Sequence, residues 1–359
     1  MVKRAAGILW LAVNSMGMAQ ARQAPFKVFL VGDAGEVSDN RANMGSLQRE
    51  LSVSPNSVVL FLGDNSYKNA LGGLLPYGYR GFDSGSLTQS NILSQLNTLA
   101  GYRGSAYFIP GNHDWWNLES YQEGKSKLKM EQHFIEENLK ANKTLANPSN
   151  TFQPRDGSAG PDYVVLNHDK LRIIFIDTYR LIMGDFTRDP ADFPQREARF
   201  YESLDQQIGE GYRLHQQVIV AGHHPVYNKG LDSASFRSPY LFSRIKASSI
   251  NFPSYKKMAL HLRNIFHKYP GLYYVCGHVH GLQYNYSSDS IHYIISGAGS
   301  KTLTVTPSEM ARRRMDPQYD YAQWNSRGFF EVDFIPGAKE RIFLYFEEGK
   351  KKIELAQQR

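Results

Sequence analysis

The sequence is poor in cysteine, and its 359 residues include only Cys276. An intramolecular disulfide is therefore impossible, and a zinc site made of four cysteines is excluded. The sequence also lacks internal repeats and long basic runs, and its two short Lys/Arg clusters, 311–314 and 349–352, are expected in solvated loops or tails. Beyond the first residues, no apolar stretch approaches the length of a transmembrane helix.

The composition is that of a globular protein. Hydrophobic residues make up 42% of the chain and charged residues 21%, which excludes a disordered chain. The length fits one large domain or two ordinary ones. The net charge of +7 favours anionic ligands in general, such as phosphate esters, nucleic acid or a membrane surface, without choosing among them.

The first residues have the pattern of a signal peptide. Lys3 and Arg4 form a small basic region, residues 5–13 are apolar, and Ala19-Gln20-Ala21 offers a small-x-small cleavage site. A loosely packed N-terminal arm is the alternative. We predict a signal peptide over residues 1–21, and therefore a secreted or periplasmic protein with no transmembrane segment once the signal is removed.

From residue 25 onward, short apolar strands alternate with helical patterns, which predicts a mixed α/β chain. We find no clean linker, so we predict a single catalytic domain over 25–347, followed by a polar tail at 348–359. Segments 228–253 and 301–326 are predicted loops that either form a functional rim or are plain insertions. The predicted strands are 26–31, 58–62, 106–109, 162–167, 171–176, 217–221, 273–276, 291–296, 329–334 and 341–346, and the predicted helices are 40–51, 87–99, 119–140, 195–208 and 254–268.

One pattern recurs at the ends of five strands: an apolar run, then glycine, then an acid, amide or histidine. Parallel strands of one sheet end at the same edge, so these polar residues can converge there. Each motif alone is weak, and the joint occurrence carries the argument. The motifs are Gly32-Asp33-Ala34-Gly35, Gly63-Asp64-Asn65-Ser66-Tyr67, Gly111-Asn112-His113-Asp114, Gly222-His223-His224 and Gly277-His278-Val279-His280.

These polar residues have the chemistry of a metal centre. Two carboxylates, an amide oxygen and several imidazoles suit borderline metals such as Zn, Mn or Fe, whereas a calcium cage would use fewer histidines. Seven or eight ligands are too many for one ion and indicate two ions that share a carboxylate. Paired ions of this kind catalyse in-line displacement at phosphorus.

The motifs resemble those of the calcineurin-like metallophosphoesterase superfamily. Within it, the chain is most similar to the purple acid phosphatases of the small type known as tartrate-resistant acid phosphatase or uteroferrin. Tyr67 is the distinguishing residue, and Gly35 stands where the wider superfamily usually has a ligand histidine. The similarity covers about residues 26–300. It implies a layered αββα sandwich of two mixed sheets flanked by helices, with the metal site at the C-terminal edge of the strands.

The resemblance also implies a role for each motif residue at a centre of two metal ions. The first ion is Fe(III) in the family, bound by a tyrosinate that gives the purple colour, and the second is a divalent Fe, Zn or Mn ion. A metal-bound hydroxide attacks phosphorus. The implied ligands are Asp33, Tyr67 and His280 for the first ion, Asp64 as the bridge, and Asn112, His223 and His278 for the second.

Three further residues are predicted to take part in catalysis. The resemblance places His113 beside the phosphate, where it stabilises charge and helps to protonate the leaving oxygen. Asp114 either orients nearby groups or caps a loop. His224 stands where the small enzymes usually carry tyrosine, and it could contact phosphate, act as a second acid or lie at the rim.

The predicted activity is the hydrolysis of phosphate monoesters in small phosphorylated substrates, and we expect no nucleic-acid partner. A phosphodiesterase or nucleotidase on the same site is the first alternative, because the leaving group contacts loops that do not match the family. A metal-binding protein without turnover is the second alternative. The presence of every expected ligand together with His113 speaks against it.

Overall fold

The computed structural model describes residues 24–67, 86–115, 121–183, 193–228, 252–303, 320–346 and 352–355. The predicted signal peptide and most of the loops 228–253 and 301–326 lie outside these residues, so those predictions stay untested. Within the described residues, no helix combines the length and the apolar character needed to cross a membrane.

Two mixed sheets form the centre of the described part of the chain. Strands β1, β2 and β3 of the first sheet are parallel, and its remaining strands pair antiparallel. In order across the sheet, its strands are β13 (Lys352–Leu355), β12 (Arg341–Phe346), β11 (Gly328–Phe334), β1 (Phe26–Val31), β2 (Ser57–Phe61) and β3 (Ser105–Phe108). The first of these lies in the segment that the sequence predicted as a tail.

The second sheet has parallel strands at its centre and antiparallel strands towards both edges. Strands β5, β6, β7 and β9 are parallel, whereas β4, β8 and β10 pair antiparallel with their neighbours. In order, the strands are β10 (Asp320–Gln323), β8 (Leu282–Tyr286), β9 (His292–Ser296), β7 (Tyr273–Cys276), β6 (Gln217–Ala221), β5 (Leu171–Phe175) and β4 (Asp162–Leu166).

Helices cover the outer faces of both sheets. Along β1, Val28 and Leu30 face the second sheet, while Phe29 and Val31 face the helices, as the two-residue period of a strand requires. Apolar residues on both faces explain why these strands are almost continuously hydrophobic. The helices are α1 (Val37–Ser52), α2 (Ser86–Leu96), α3 (Asn112–Trp115), α4 (Tyr121–Leu139), α5 (Thr178–Met183), α6 (Phe193–Arg213) and α7 (Pro253–Phe266).

Four layers result from this packing. The two sheets enclose one core, in which Val28 and Leu30 meet Ile173 and Ile219. A second core lies between the first sheet and helices α1, α2 and α4, and a third lies between the second sheet and helices α6 and α7. The predicted αββα sandwich of two mixed sheets is therefore confirmed.

Every predicted strand and helix is present, but the prediction missed five short elements. Strands β10 and β13 lie at sheet edges and β8 lies next to β10; all three are segments of four or five residues with too little periodicity to be recognised. Helices α3 and α5 are single turns of four and six residues that begin at the end of a loop. Such turns are set by local capping rather than by an apolar stripe.

The two sheets meet at one edge. The backbone N–H of Gly32, just after β1, donates to the carbonyl of Ser296 at the end of β9, at 2.7 Å. In the second sheet, the N–H of Gly277 donates to the carbonyl of His223 at 3.0 Å. The loops that follow the parallel strands of both sheets therefore lie side by side.

Candidate metal centre

The structure brings the polar residues of all five motifs to this shared edge. Each follows the C-terminal end of a parallel strand, as the sequence predicts. The first sheet contributes Asp33 after β1, Asp64 and Tyr67 after β2, and Asn112 and His113 after β3; the second sheet contributes His223 and His224 after β6, and His278 and His280 after β7.

Three of these side chains converge around the hydroxyl of Tyr67. The hydroxyl oxygen lies 2.8 Å from Asp33 Oδ1, 3.0 Å from Asp64 Oδ2 and 3.2 Å from His280 Nε2. His280 Nε2 lies 3.4 Å from Asp33 Oδ1. The phenol has one hydrogen and can donate it to only one of these three atoms at a time. The oxygen and nitrogen atoms therefore lie closer together than their hydrogen bonds explain, and a bound cation would stabilise this arrangement.

A second group surrounds the amide oxygen of Asn112. Asn112 Oδ1 lies 2.9 Å from His278 Nδ1 and 3.2 Å from His223 Nε2. His223 Nε2 is also 3.3 Å from Asp64 Oδ1. Asp64 therefore presents one oxygen to each group, which is the position of a bridging carboxylate.

Backbone groups orient these ligands. His223 Nδ1 lies 2.8 Å from the carbonyl of Leu62, and because a carbonyl only accepts, Nδ1 carries a hydrogen and Nε2 is the nitrogen that would bind a metal ion once it loses its proton. The N–H of His278 donates to Asp33 Oδ2 at 2.8 Å, and the N–H of His113 donates to Asp64 Oδ1 at 2.9 Å. The carboxylates are thus held in place before any ligand arrives.

The charges in the site favour a cation. Burial raises the pKa of Asp64, but the nearby His223 and His113 outweigh it and hold this pKa well below its usual range. Burial lowers the pKa of His223, but Asp64 reverses the shift and raises it to about 9. Burial, Asp33 and Asp64 together raise the pKa of Tyr67 well above its usual value. Without a cation the site therefore keeps protons, and metal binding would release them.

Three residues that are proposed to bind metal adopt the left-handed backbone conformation. The φ angles of Asp33, Asp64 and His278 are 56°, 52° and 67°. Such conformations are uncommon outside glycine and cost on the order of 1–3 kcal/mol each, and they cluster at functional sites. The sharp turns point the three side chains back over the strand ends.

Gly35 allows the first two motif loops to touch. A Cβ atom at this position would lie 2.6 Å from both the carbonyl oxygen of Asp64 and the backbone nitrogen of Ser66. The carbonyl of Gly35 accepts the N–H of Tyr67 at 2.9 Å. A larger residue at position 35 would push the loop that carries Tyr67 away from Asp33. The position of the Tyr67 hydroxyl next to Asp33 therefore depends on glycine at position 35.

His113 lies at the mouth of the site. Its side chain is 21% exposed, and its Nε2 is 4.0 Å from Asp64 Oδ2. Its ring packs edge-on against Tyr67, with the ring centroids 4.7 Å apart. Burial, opposed by Asp64, lowers the pKa of His113 to about 4, so its ring is neutral near pH 7 until an anion binds beside it.

Asp114 binds the backbone of two motif loops. Its oxygens accept the N–H groups of Gly111 at 2.7 Å, Asn65 at 2.9 Å and Ser66 at 3.2 Å. The side chain is 1% exposed. This geometry is compatible with both predicted alternatives, orienting nearby groups and capping a loop.

His224 is fully buried beneath the second ligand group, so it is not a rim residue. Its Nδ1 lies 2.8 Å from Thr178 Oγ1, and its ring centroid is 4.3 Å from that of His278. Its Nε2 is buried without a hydrogen-bond partner, a situation that typically costs about 1–3 kcal/mol.

The residues present fit the metal ions that the family implies. Ligand atoms of Asp33, Asp64 and His223 lie within 4.8 Å of one another, and so do those of His223, His224 and His278. The unpartnered nitrogen of His224 would gain an interaction from a cation in the second group. Two adjacent clusters of this composition suit two ions of the Fe, Zn or Mn type.

Sequence reasoning missed one charged residue of the site. Lys301 places its ammonium 3.6 Å from the centre of the Tyr67 ring. Strand β9 could have indicated this residue, because β9 ends at the same edge of the sheet as β7 and Lys301 follows its last residue by five positions. The strand was predicted, but the lysine after it was not considered.

Comparison with known proteins identifies the family. The family model for calcineurin-like phosphoesterases matches residues 26–282. Tartrate-resistant acid phosphatase type 5 of Mus musculus is 24% identical over 363 residues, which cover 96% of this chain and 93% of the mouse protein.

Two solved structures share the fold. One is GAP50, described as the anchor in the inner membrane complex of Plasmodium, with a TM-score of 0.57, 14% identity, and 94% of this chain and 90% of that chain covered. The other is the purple acid phosphatase PPD1 of Lupinus luteus, with a TM-score of 0.56, 13% identity, and 92% and 53% covered. The extent of the family match and the assembled motif residues place this chain in the calcineurin-like phosphoesterase family, as a phosphoester hydrolase.

Proposed function

We propose that this protein hydrolyses phosphate monoesters at a centre of two metal ions. The observation that carries the proposal is the position of Asp64, which offers one oxygen to the group around Tyr67 and the other to the group around Asn112. A carboxylate shared in this way could hold two ions, which when bound would supply the charge stabilisation that displacement at phosphorus needs.

Each ligand group is assigned to one ion. When bound, the ions supply Lewis-acid stabilisation of the negative charge on the phosphoryl group. His224 is proposed to support the second ion, since its free nitrogen faces the same group. The proposed ligands are Asp33, Tyr67 and His280 for the first ion, Asp64 as the bridge, and Asn112, His223 and His278 for the second.

Two residues of the third motif act around the substrate. His113, partly exposed at the mouth, binds the phosphate and gives a proton to the leaving oxygen. A bound anion raises the pKa of His113 from its low starting value, which prepares it for this role. Asp114 is a positioning residue, because it holds the loops that carry Asp64 and Asn112.

The substrate class is tested with a matched pair of aryl phosphates, one monoester and one diester with the same leaving group. We expect a higher kcat/KM for the monoester, and faster diester cleavage would contradict the proposal in favour of a phosphodiesterase. Asp64→Asn is expected to lose activity on both. Asp169→Asn, an exposed change in the turn at the opposite end of β5, is the control.

The metal identity is a further part of the proposal. Tyr67 favours Fe(III) at the first position and a divalent Fe, Zn or Mn ion at the second. Protein purified with iron is expected to absorb visible light, and Tyr67→Phe is expected to abolish the band while both ions are retained. A colourless protein with two zinc or manganese ions would keep the phosphoesterase and remove the iron–tyrosinate assignment.

Export is proposed from the N-terminal pattern alone. Residues 1–21 have the basic, apolar and small-x-small regions of a signal peptide. The mature protein is therefore expected to begin after Ala21. Intact-mass analysis of the protein from its native host tests this, and an uncleaved N-terminus in the cytoplasm would contradict it.

A further inference from the structure

Lys301 is fixed at the edge where the two ligand groups lie. The N–H of Ser300 donates to the carbonyl of Asp33 at 2.9 Å, and the Ser300 hydroxyl donates to the same oxygen. Two residues later, the N–H of Leu303 donates to the carbonyl of His280 at 3.0 Å. The backbone of Lys301 is thus held on both sides by loops that carry proposed ligands of the first ion.

The side chain of Lys301 extends over the site. Its Nζ lies 3.6 Å from the ring centroid of Tyr67, and 31% of the side chain is exposed. The His113 ring packs against the same tyrosine. Lys301 and His113 therefore both contact the Tyr67 ring and lie at the opening of the site.

The neighbouring Glu36 offers a simpler account, in which Lys301 is only an ion-pair partner. Glu36 Oε2 is 3.8 Å from Nζ, which is beyond hydrogen-bond distance. An ammonium group has three donors. At this distance Glu36 can orient the side chain of Lys301, while the N–H groups of Lys301 stay available to donate hydrogen bonds to an incoming anion.

We propose that Lys301 binds the phosphate group of the substrate and favours a dianionic monoester over a monoanionic diester. The proposal rests on the proposed phosphoesterase function and adds a determinant of substrate class to it. Lysine binds phosphate as a point charge, so the strength of the contact depends on the charge of the ligand.

The charge difference gives this contact its selectivity. A phosphate monoester with a second pKa near 6 carries almost two negative charges at pH 7.5, whereas a diester carries one. The Coulomb attraction of Lys301 for the dianion is therefore about twice that for the monoanion. A neutral residue at 301 would reduce monoester binding more than diester binding.

The test compares the metal-loaded wild-type protein with Lys301→Met and Lys301→Arg at pH 7.5. Inorganic phosphate binding is measured by titration calorimetry, and kcat and KM are measured for the matched monoester and diester. Lys339→Met is the control for loss of one charge, because Lys339 is exposed in the turn after β11, at the edge far from the site. Metal content is measured for each protein.

In Lys301→Met we expect phosphate affinity to fall about tenfold and the monoester KM to rise about tenfold, as for loss of a partly exposed charged contact. We expect kcat and the diester KM to change by less than about threefold, since the diester carries the smaller charge. Lys301→Arg is expected to restore most of the affinity, and Lys339→Met is expected to behave as wild type.

Unchanged phosphate affinity in Lys301→Met, equal losses for both esters, or a loss explained by missing metal would each overturn the proposal. Glu36→Gln separates it from a structural ion pair: we expect equal or tighter phosphate binding, and a loss equal to that of Lys301→Met would contradict the proposal.

If the wild type hydrolyses neither ester but Lys301→Met still weakens phosphate binding, the proposed function fails and the anion contact stands. If the wild type hydrolyses the monoester and Lys301→Met leaves it unaffected, only the proposal for Lys301 fails.

Discussion

At the scale of single residues, the site depends on close contact between backbones. Gly35 is the clearest case, because any side chain there would overlap the loop that carries Asp64 and Tyr67. The contact brings the Tyr67 hydroxyl within hydrogen-bond distance of both carboxylates. The spacing of the group around Tyr67 is therefore set in part by a residue that contributes no side chain to it.

We expect Gly35→Ala to weaken metal binding by at least tenfold and to destabilise the protein by about 1–3 kcal/mol, since the added Cβ must push two backbones apart. Competition with a metal chelator and urea unfolding measure the two effects. Gly45→Ala is the matched control, because Gly45 lies in helix α1 with only an arginine side chain within contact distance. That change is expected to stabilise by about 0.5–1 kcal/mol. Equal effects of the two substitutions would contradict this account.

The cluster of proposed ligands could be predicted from the sequence, whereas Lys301 and Thr178 could not. In each of the five motifs a glycine at the end of an apolar strand is followed directly by one proposed ligand, and this local signal is repeated five times. Thr178 reaches His224 through a contact between residues 46 positions apart, which no local pattern reveals. The lysine is one of many in a basic chain, and only the position of β9 in the sheet brings it to the site.

At the scale of elements, Asp177 connects two short helices that support the site. Its Oδ1 accepts the N–H of Arg180 at 3.0 Å and so caps α5, the helix that begins with Thr178. Its Oδ2 accepts the indole N–H of Trp115, the last residue of α3. Helix α3 also carries Asn112 and His113, so one buried carboxylate connects the helices that support Asn112, His113 and His224.

This link is expected to make stability depend on pH. Burial raises the pKa of Asp177 to about 6, although the N–H groups of Arg180 and Trp115 oppose the shift. Between about pH 4 and pH 6 the folded chain holds a proton that the unfolded chain has lost, so the stabilisation is full below about pH 4 and declines through pH 6. A shift from 3.8 to about 6 corresponds to about 3 kcal/mol.

Asp177→Asn removes this titration and tests the expectation. Urea unfolding at several pH values from 4 to 7 should show that the difference in unfolding free energy between wild type and variant changes across pH 4–6 and is constant above about pH 6.5. Asp169→Asn, at an exposed turn, is the control and should leave the pH profile of the wild type unchanged. A constant difference between wild type and Asp177→Asn over the whole range would show that Asp177 is not shifted.

Strands with a continuous apolar sequence were predicted well, whereas strands of polar and aromatic residues and helices of one or two turns were missed. Strand β2 is buried along its entire length, so its sequence is uniformly apolar and easy to recognise. Strand β8 carries glutamine, tyrosine and asparagine, and its place depends on pairing with β9 and β10 rather than on its own residues. Helices α3 and α5 are too short to show an apolar period, and their capping bonds, from Gly111 N–H to Asp114 and from Arg180 N–H to Asp177, each span only three residues.

At the scale of the whole molecule, the candidate centre joins the two sheets. Asp33, Asp64, Tyr67 and Asn112 follow strands of the first sheet, whereas His223, His278 and His280 follow strands of the second. Layer order could be inferred from the family resemblance, but the pairing of the sheets through Gly32 and Ser296 is visible only in the folded chain. A cation in this position would hold both sheets to one another.

Removal of metal is therefore expected to lower the stability of the whole molecule. A ligand at a thousand times its Kd stabilises the folded state by about 4 kcal/mol, so chelation should lower the unfolding temperature by several degrees. Calorimetry at rising Zn or Mn concentration should restore it progressively. Asp64→Asn should gain much less from added metal, and an equal gain in this variant would place the stabilising ions elsewhere.

The central claim is that two ions occupy one site that shares Asp64, and the metal content of the purified protein tests it most directly. Elemental analysis at saturation, with activity measured on the same samples, is expected to give two ions per wild-type chain and at most one in Asp64→Asn, with monoesterase activity present only at two. Saturation of the wild type at a single ion with full activity would contradict the account.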